Sequence, residues 1–184
     1  PEFLLRLIEE FEFIGDLYED VGENVGRRWH RHVIAYRLAC GGVKPWRVKF
    51  VDVLVFYQIH NDWRIVEEKL DDAEGIETLR KYVETWIKEG IVPEKYVVTF
   101  NPTKVEDTRG TIRELALSLR SNMTPKEIHN LVYEVARKRH EDPRELFKKL
   151  YIAILGKPYG PRLGKLIYAL GIEKVKKTLL SLID

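Results

Sequence analysis

Apolar side chains recur every three or four residues along most of this 184-residue chain, and that spacing limits the possible folds more than any other feature of the sequence. The period matches the turn of an α-helix, so each stripe lies on one helix face and has to be covered by other helices. The clearest stripes are Leu4, Leu7, Ile8 and Phe11; Ile76, Leu79, Val83, Trp86 and Ile87; Ile128, Leu131, Val132 and Val135; and Leu146, Leu150, Tyr151 and Ile154. The sequence therefore predicts an all-α, multi-helix fold.

The boundaries of several helices are also marked. Residues 124–127 (TPKE) and 142–145 (DPRE) each combine an N-cap residue, a proline at the first helical position and a glutamate at the third. We expect helices to begin there. Gly156 follows the last apolar stripe and should end its helix in the left-handed conformation, before a tight loop. Further helices are expected from about Arg162 and over about 172–182.

The middle of the chain is harder to assign. Residues 50–59 are rich in β-branched and aromatic side chains, which favour strands, but we interpret this stretch as a packed helix. Residues 96–100 resemble either an extended linker or an isolated strand. Prolines interrupt the helical pattern on both sides of this stretch. We therefore expect a helical stem or connector subdomain over 1–92, a linker over 93–106 and a C-terminal helical subdomain over 107–184.

Cysteine content and hydropathy bear on the cellular setting. Cys40 is the single cysteine, which excludes an internal disulfide framework and a zinc cluster built on cysteines. No apolar stretch approaches the roughly 20 residues that span a bilayer, and the start at Pro1 does not resemble a signal peptide. These features favour a cytoplasmic protein with no membrane partner. The missing initiating methionine suggests a part of a longer polypeptide.

The net charge of +2 conceals an uneven distribution of charge. Residues 26–49 contain seven basic side chains and no acidic one, whereas residues 1–25 contain eight acids and one base. Residues 50–125 contain 10 bases and 14 acids, and residues 126–184 contain 13 bases and seven acids. Two basic regions separated by acidic ones indicate a polyanion-binding surface on part of the molecule.

The sequence predicts neither a catalytic group nor a metal ligand set. It contains no phosphate-cradling glycine loop, no nucleophile elbow and no pair of histidines at the helical spacing of a zinc protease. The acidic pairs at 67–68 and 71–72 could serve proton transfer, but such runs are more often the solvated faces of helices. We therefore expect no chemistry in this segment.

A basic and aromatic run is the first candidate for a binding site. Its members are Arg27, Arg28, Trp29 and Arg31. Arginine engages phosphates and stacks on bases, and aromatic rings offer stacking surfaces to unpaired bases, so the mixture is typical of RNA binders. Tyr36 and Trp46 extend the pattern. In the alternative interpretation, the aromatic residues belong to the core and the arginines only flank them.

The last 60 residues resemble a known family. Residues 124–136 (TPKEIHNLVYEVA), 145–157 (ELFKKLYIAILGK) and 160–163 (GPRL) are similar, in this order, to the end of class I lysyl-tRNA synthetases. A weaker similarity covers 79–86 and 50–58. The resemblance implies the α-helix cage of that family, which is akin to the anticodon-binding domain of bacterial glutamyl-tRNA synthetases. It also implies that the function of this region is to recognise tRNA.

The resemblance also implies a second candidate site. In the family, the loop and helix start that correspond to Gly160, Pro161, Arg162 and Leu163 lie near the anticodon. Lys157 and Arg162 would add positive charge there, and Tyr159 could stack on a base. The sequence departs from the family at Pro158 and Tyr159, where the family loop is more charged. The alternative is that Gly160 and Pro161 simply turn one helix into the next.

In that family a Rossmann domain upstream joins lysine to tRNA with ATP and Mg²⁺, and it carries two ATP-binding signatures. Neither signature occurs in this sequence, so we expect the segment to need no cofactor and to be inactive alone. Its expected partners are tRNA and the upstream catalytic domain of the same polypeptide. Two alternatives stay open, an anticodon-binding domain of a glutamyl-type synthetase and a helical protein-interaction module.

Overall fold

The computed structural model describes residues 2–21, 26, 28–41 and 44–183. Within those residues the fold is all-α, as expected, with no β-strand. The helices are α1 (Glu2–Val21), α2 (His30–Cys40), α3 (Phe50–His60), α4 (Trp63–Leu70), α5 (Ala73–Lys88), α6 (Thr111–Ser118), α7 (Pro125–Lys138), α8 (Pro143–Leu155), α9 (Leu163–Leu170) and α10 (Ile172–Leu182). A 3₁₀ turn covers Glu94–Tyr96.

The chain divides into two compact units, Pro1–Pro93 and Glu94–Asp184. Residues 94–106, which we expected to act as a linker, fall within the second unit. In the first unit α1 packs against α2, and α3 packs against both α4 and α5. Side chains of α3 and α5 form much of its buried core, including Phe50, Leu54, Phe56, Ile76 and Leu79.

The second unit is built around α7, which packs against α6, α8 and α9, while α10 covers α6, α8 and α9. Gly164 allows the closest of these approaches, because a Cβ atom at this position would lie 2.1 Å from the carbonyl oxygen of Pro125. The starts of α7 and α9 are therefore held side by side. This packing fixes where the loop before α9 lies.

The expected helix boundaries are found where the capping residues stand. Thr124 and Glu127 form a reciprocal capping box at the start of α7, and the Asp142 carboxylate accepts from the amide of Arg144 at the start of α8. Gly156 ends α8 at φ +71°. Residues 50–59 are helical, because their apolar side chains are buried against neighbouring helices and packing overrides strand propensity.

The stretch over 96–100 is not a strand. Tyr96 ends the 3₁₀ turn, and residues 97–106 have no regular secondary structure. The backbone is nevertheless held, since the amides of Asn101 and Thr103 donate to the carbonyls of Ile154 and Ala153 at 3.0 and 3.2 Å. This segment therefore packs along the end of α8.

Candidate nucleic-acid interface

The loop between α8 and α9, residues 156–162, is shaped by a tyrosine beneath it. A Cβ atom at Gly160 would lie 2.8 Å from the Leu155 side chain and 3.0 Å from the ring of Tyr151, so a larger residue here would displace the side chains beneath the loop. The Tyr151 hydroxyl donates to the carbonyl of Pro161 at 2.6 Å. Burial raises the pKa of Tyr151 to about 12, and a hydrogen bond with the backbone of Leu163 only partly opposes this rise. The tyrosine thus fastens the loop to the helix before it.

The outer side of the loop is tied to the 3₁₀ turn. The Lys157 ammonium donates to the carbonyls of Glu94 and Val97 at 2.6 and 3.0 Å, and it lies 5.1 Å from the centre of the Tyr159 ring. Burial lowers the pKa of Lys157, although the nearby Glu94 carboxylate opposes this. The Tyr159 hydroxyl donates to the same carboxylate. Glu94 therefore positions both side chains.

Arg162 is the N-cap residue of α9, and its side chain is exposed. No described residue forms a hydrogen bond or ion pair with its guanidinium group. The first amides of a helix have no carbonyl partner within it and carry a partial positive charge, so an arginine at this position adds charge where the helix already disfavours it. The start of α9 therefore presents amides and a guanidinium group together.

The six candidate residues of this loop differ in exposure; they are the four that the resemblance places near the anticodon, with Lys157 and Tyr159. Tyr159 and Arg162 are exposed and Lys157 is half-buried, whereas Gly160, Pro161 and Leu163 are buried. The buried three shape the loop from inside and leave no side chain free for contact. The residues that could touch a ligand directly are consequently Tyr159, Arg162 and, in part, Lys157.

The basic and aromatic run lies at the start of α2, in the other unit. Trp29 is half-buried and packs 5.1 Å from the ring of Phe13, beside the buried cluster of Ile14, Val33 and Tyr36. Trp29 therefore packs against this cluster, to which Tyr36 belongs. The guanidinium group of Arg28 lies 5.1 Å above the Trp29 ring. Arg28 and Arg31 are both exposed. Arg27 lies outside the described residues.

Acidic residues of α1 neutralise part of the basic segment. Asp16 forms ion pairs with Lys44 and with Lys49, the latter at 2.5 Å. Burial alone would raise the pKa of Asp16, but the two lysines outweigh burial and lower it. Glu12 is buried and accepts from the indole of Trp46 at 3.1 Å. The positive charge left at the surface therefore resides mainly on arginines.

Glu94 is the residue of this site that sequence reasoning missed. It lies one residue after Pro93, in a stretch that we interpreted as a linker, and it precedes Lys157 and Tyr159, which it holds, by 63 and 65 residues. A local pattern cannot reveal a contact of that separation. The available signal was Pro93 itself, since proline marks turns and loops.

The described part of the chain contains no group of three or more histidine, cysteine, aspartate or glutamate side chains placed to hold a metal ion. Among the same residues, none of the helices has the length and apolar character needed to cross a membrane.

Comparison with known proteins points to one family of enzymes. The lysine–tRNA ligase of Archaeoglobus fulgidus is 39% identical over 117 residues, which cover 62% of this chain and 22% of that protein. The lysine–tRNA ligases of Borrelia garinii and Thermoplasma acidophilum are 25% and 24% identical over 95% and 98% of this chain, or 37% and 38% of their own length. This chain is a relative of the lysine–tRNA ligases. The resemblance to class I lysyl-tRNA synthetases is thereby confirmed.

The chain spans less than two fifths of the length of these lysine–tRNA ligases. The similarity to the A. fulgidus ligase is higher over a shorter stretch, whereas the similarity to the other two is lower but extends over nearly the whole chain. No protein-family model matches the chain.

Proposed function

We propose that this chain is the tRNA-binding, anticodon-reading region of a class I lysine–tRNA ligase, and that it has no catalytic role of its own. Lysine attachment, with ATP and Mg²⁺, would take place in another domain of the longer polypeptide. The support is the similarity over most of the chain to enzymes named lysine–tRNA ligase, of which the chain represents a minor part.

The observation that carries the proposal is the exposed Arg162 at the start of α9. A positive side chain is unfavourable beside the positive end of the helix dipole, by roughly 0.3 to 1 kcal/mol at an exposed site. An anionic ligand reverses that cost, because it is attracted by the guanidinium group and by the free amides alike. RNA supplies such a ligand. The edges of its unpaired anticodon bases can also accept hydrogen bonds from the guanidinium group of an arginine.

The other loop residues would act in different ways. The Tyr159 ring is 38% exposed and its hydroxyl is held by Glu94, so the ring can receive a base without losing its position. The Lys157 ammonium already donates to two carbonyls, so it contributes positive potential more than a direct contact. Gly160 and Pro161 would keep the loop packed against α8, so that RNA can reach Arg162.

Arg28 and Arg31 provide a second contact with phosphate in this proposal. Both are exposed near the start of α2, whereas Lys44 and Lys49 are engaged by Asp16. A contact with phosphate would strengthen binding without reading sequence.

Substitution of Arg162 by alanine tests the anticodon assignment. Binding would be measured at fixed salt with lysine tRNA and with the same tRNA carrying a changed anticodon. If Arg162 reads a base, the loss is expected to be about 1 to 3 kcal/mol larger for the cognate anticodon. Equal losses would make Arg162 a phosphate contact, and no loss on either RNA would remove this loop from the interface.

Two variants control that experiment. Arg113→Ala removes an exposed arginine of α6 and should leave both affinities unchanged. Leu163→Ala removes a fully buried side chain beside Arg162 and should lower stability by about 2 to 5 kcal/mol, with binding reduced only through unfolding.

The non-catalytic part of the proposal has its own test. Because formation of lysyl-adenylate needs ATP phosphates held in line for attack, the chain alone should support no lysine-dependent ATP–pyrophosphate exchange. Exchange above the background of a protein-free reaction would contradict the assignment.

A further inference from the structure

Three aromatic side chains of α7 and α8 touch one another at the surface of the second unit. The His129 ring lies 5.3 Å from Tyr133 and 5.2 Å from Phe147, and Tyr133 and Phe147 are 5.3 Å apart. Tyr133 is 41% exposed, and the other two are half-buried. The members of this aromatic trio support one another's orientation while leaving ring surface open to solvent.

The aromatic trio borders the candidate loop from two sides. Phe147 precedes Tyr151 by one turn of α8, and Tyr151 bonds to the carbonyl of Pro161. On α7, the Cβ atom of His129 lies 3.2 Å from the position that a Cβ atom at Gly164 would occupy. Gly164 is two residues after Arg162. The aromatic trio therefore lies beside the start of α9 within this unit.

Exposed basic side chains accompany the aromatic trio. Lys126 lies one turn before His129, Arg137 lies one turn after Tyr133, and Arg144 lies three residues before Phe147. The Arg137 guanidinium donates to the Tyr133 carbonyl at 3.3 Å, which places it beside that residue. Among the nearby acids, Glu127 is committed to the capping box of α7 and Glu145 pairs with Lys148, whereas exposed Glu134 offsets part of this positive charge. The charge around the rings thus favours an anionic ligand.

We infer that His129, Tyr133 and Phe147 form a stacking platform for an unpaired base of the bound RNA, next to the Arg162 loop. The inference rests on the proposed function and adds a second set of RNA contacts to it. A partly exposed group of rings that is fixed by its own contacts and bordered by arginine and lysine suits single-stranded nucleic acid, because rings stack on bases while cations contact phosphates. A protein helix would instead need an apolar surface, and it would gain nothing from the basic side chains around the rings.

The test uses three substitutions of Tyr133, the most exposed ring. Binding of lysine tRNA is measured by fluorescence anisotropy over a series of salt concentrations. Tyr133→Ala and Tyr133→Leu are expected to weaken binding about 5- to 100-fold, the range for removal of one base stack. Tyr133→Phe should keep wild-type affinity. The salt dependence should be the same for all four proteins, since each of them still neutralises the same phosphates.

Tyr82→Ala is the matched control, because Tyr82 is an exposed tyrosine of α5 in the other unit. Circular dichroism and thermal unfolding of each variant confirm that the fold is kept. Unchanged affinity of Tyr133→Ala, or full affinity of Tyr133→Leu, overturns the stacking platform. If Arg162→Ala still weakens binding in that case, the proposed function stands without the platform. If the wild-type chain does not bind tRNA, both fall.

Discussion

Gly164 leaves no space for a side chain between α9 and α7. A Cβ atom would lie 2.1 Å from the Pro125 carbonyl, and both partners belong to backbone that capping and packing hold in place. We expect Gly164→Ala to lower the free energy of unfolding by about 1 to 3 kcal/mol, the usual cost of overpacking. Urea unfolding followed by circular dichroism measures this.

The control for that prediction is Gly26→Ala. A Cβ atom at Gly26 meets nothing within 4 Å, and its φ angle is not in the left-handed range. Its unfolding free energy should therefore stay within about 0.5 kcal/mol of wild type. Equal effects of the two substitutions would refute the close contact of α7 with α9.

The Tyr159 hydroxyl provides a prediction on pH. Its hydrogen bond to the Glu94 carboxylate, with burial and the negative charge of Glu94, raises the pKa of Tyr159 above its usual 10.0. The stability that this contact adds is fully present below pH 10 and disappears as the pH rises through the higher folded-state pKa. Glu94→Gln should lower the pKa of Tyr159, as measured by NMR titration of the ring-labelled tyrosines with Tyr159→Phe for assignment. An unchanged value would mean that the contact does not form in solution.

Sequence alone could place Arg162 but not its neighbours. A glycine and a proline before an apolar helix mark the start of α9, and this is local information. Gly160 is buried against Tyr151, a residue of α8. The hydrogen bond between Tyr159 and Glu94 joins residues 65 positions apart. Contacts of that kind follow from tertiary packing, so no spacing rule predicts them.

At the scale of helices, the capping box of α7 offers a direct test. The Thr124 hydroxyl accepts from the amide of Glu127, and the Glu127 carboxylate accepts from the amide and the hydroxyl of Thr124. Thr124→Ala is expected to destabilise the protein by about 0.5 to 2 kcal/mol, because an amide of the first turn loses its partner. Thr124→Ser, which keeps the hydroxyl, should be close to wild type. Chemical denaturation at neutral pH measures both.

The same box should make α7 sensitive to acid. Hydrogen bonds from Thr124 lower the pKa of Glu127 below its usual 4.5. A lowered pKa adds stability that is present above the unfolded-state value and is lost as the pH falls through the folded-state value. Because the amide of residue 124 is kept in Thr124→Ala, the charge is tested with Glu127→Gln, and the difference in stability between wild type and Glu127→Gln should shrink below about pH 4.5. A difference that stays constant through this range would contradict a charged Glu127 in the box.

Helices differed in how well the sequence revealed them. Caps and one-sided apolar stripes marked α7 and α8, which have solvent on one face. The stripe was absent in α3, whose side chains Phe50, Val53, Leu54, Val55 and Phe56 are buried on several sides. A helix that is covered all round loses its period, so composition suggested a strand there while packing produced a helix.

For the molecule as a whole, the basic patch at the start of α2 leads to a prediction about salt. The double substitution Arg28→Glu and Arg31→Glu should reduce the dependence of tRNA affinity on salt by about 0.7 to 0.9 of a log unit for each RNA phosphate that the protein no longer neutralises. Arg64→Glu with Arg113→Glu is the matched control, since both are exposed arginines outside the patch. An equal effect of both double variants would mean that only net charge matters.

That patch is smaller than the sequence suggests. Seven bases without an acid over residues 26–49 indicate strong repulsion unless a partner binds. Asp16 relieves part of it within the fold, through Lys44 and Lys49. The acidic α1 and the basic segment after it therefore neutralise one another in part. A count of charges along the sequence treats them as two separate regions and does not show this pairing.

The two backbone hydrogen bonds from Asn101 and Thr103 to the end of α8 have a consequence for proteolysis. A protease needs several residues of extended chain free to enter its cleft, and a segment fastened at alternate amides cannot supply them without local opening. Residues 100–104 should therefore resist nicking although they lack regular secondary structure. A cut placed there would also leave Glu94 and Val97 on a different fragment from Lys157 and Tyr159, the side chains that they anchor.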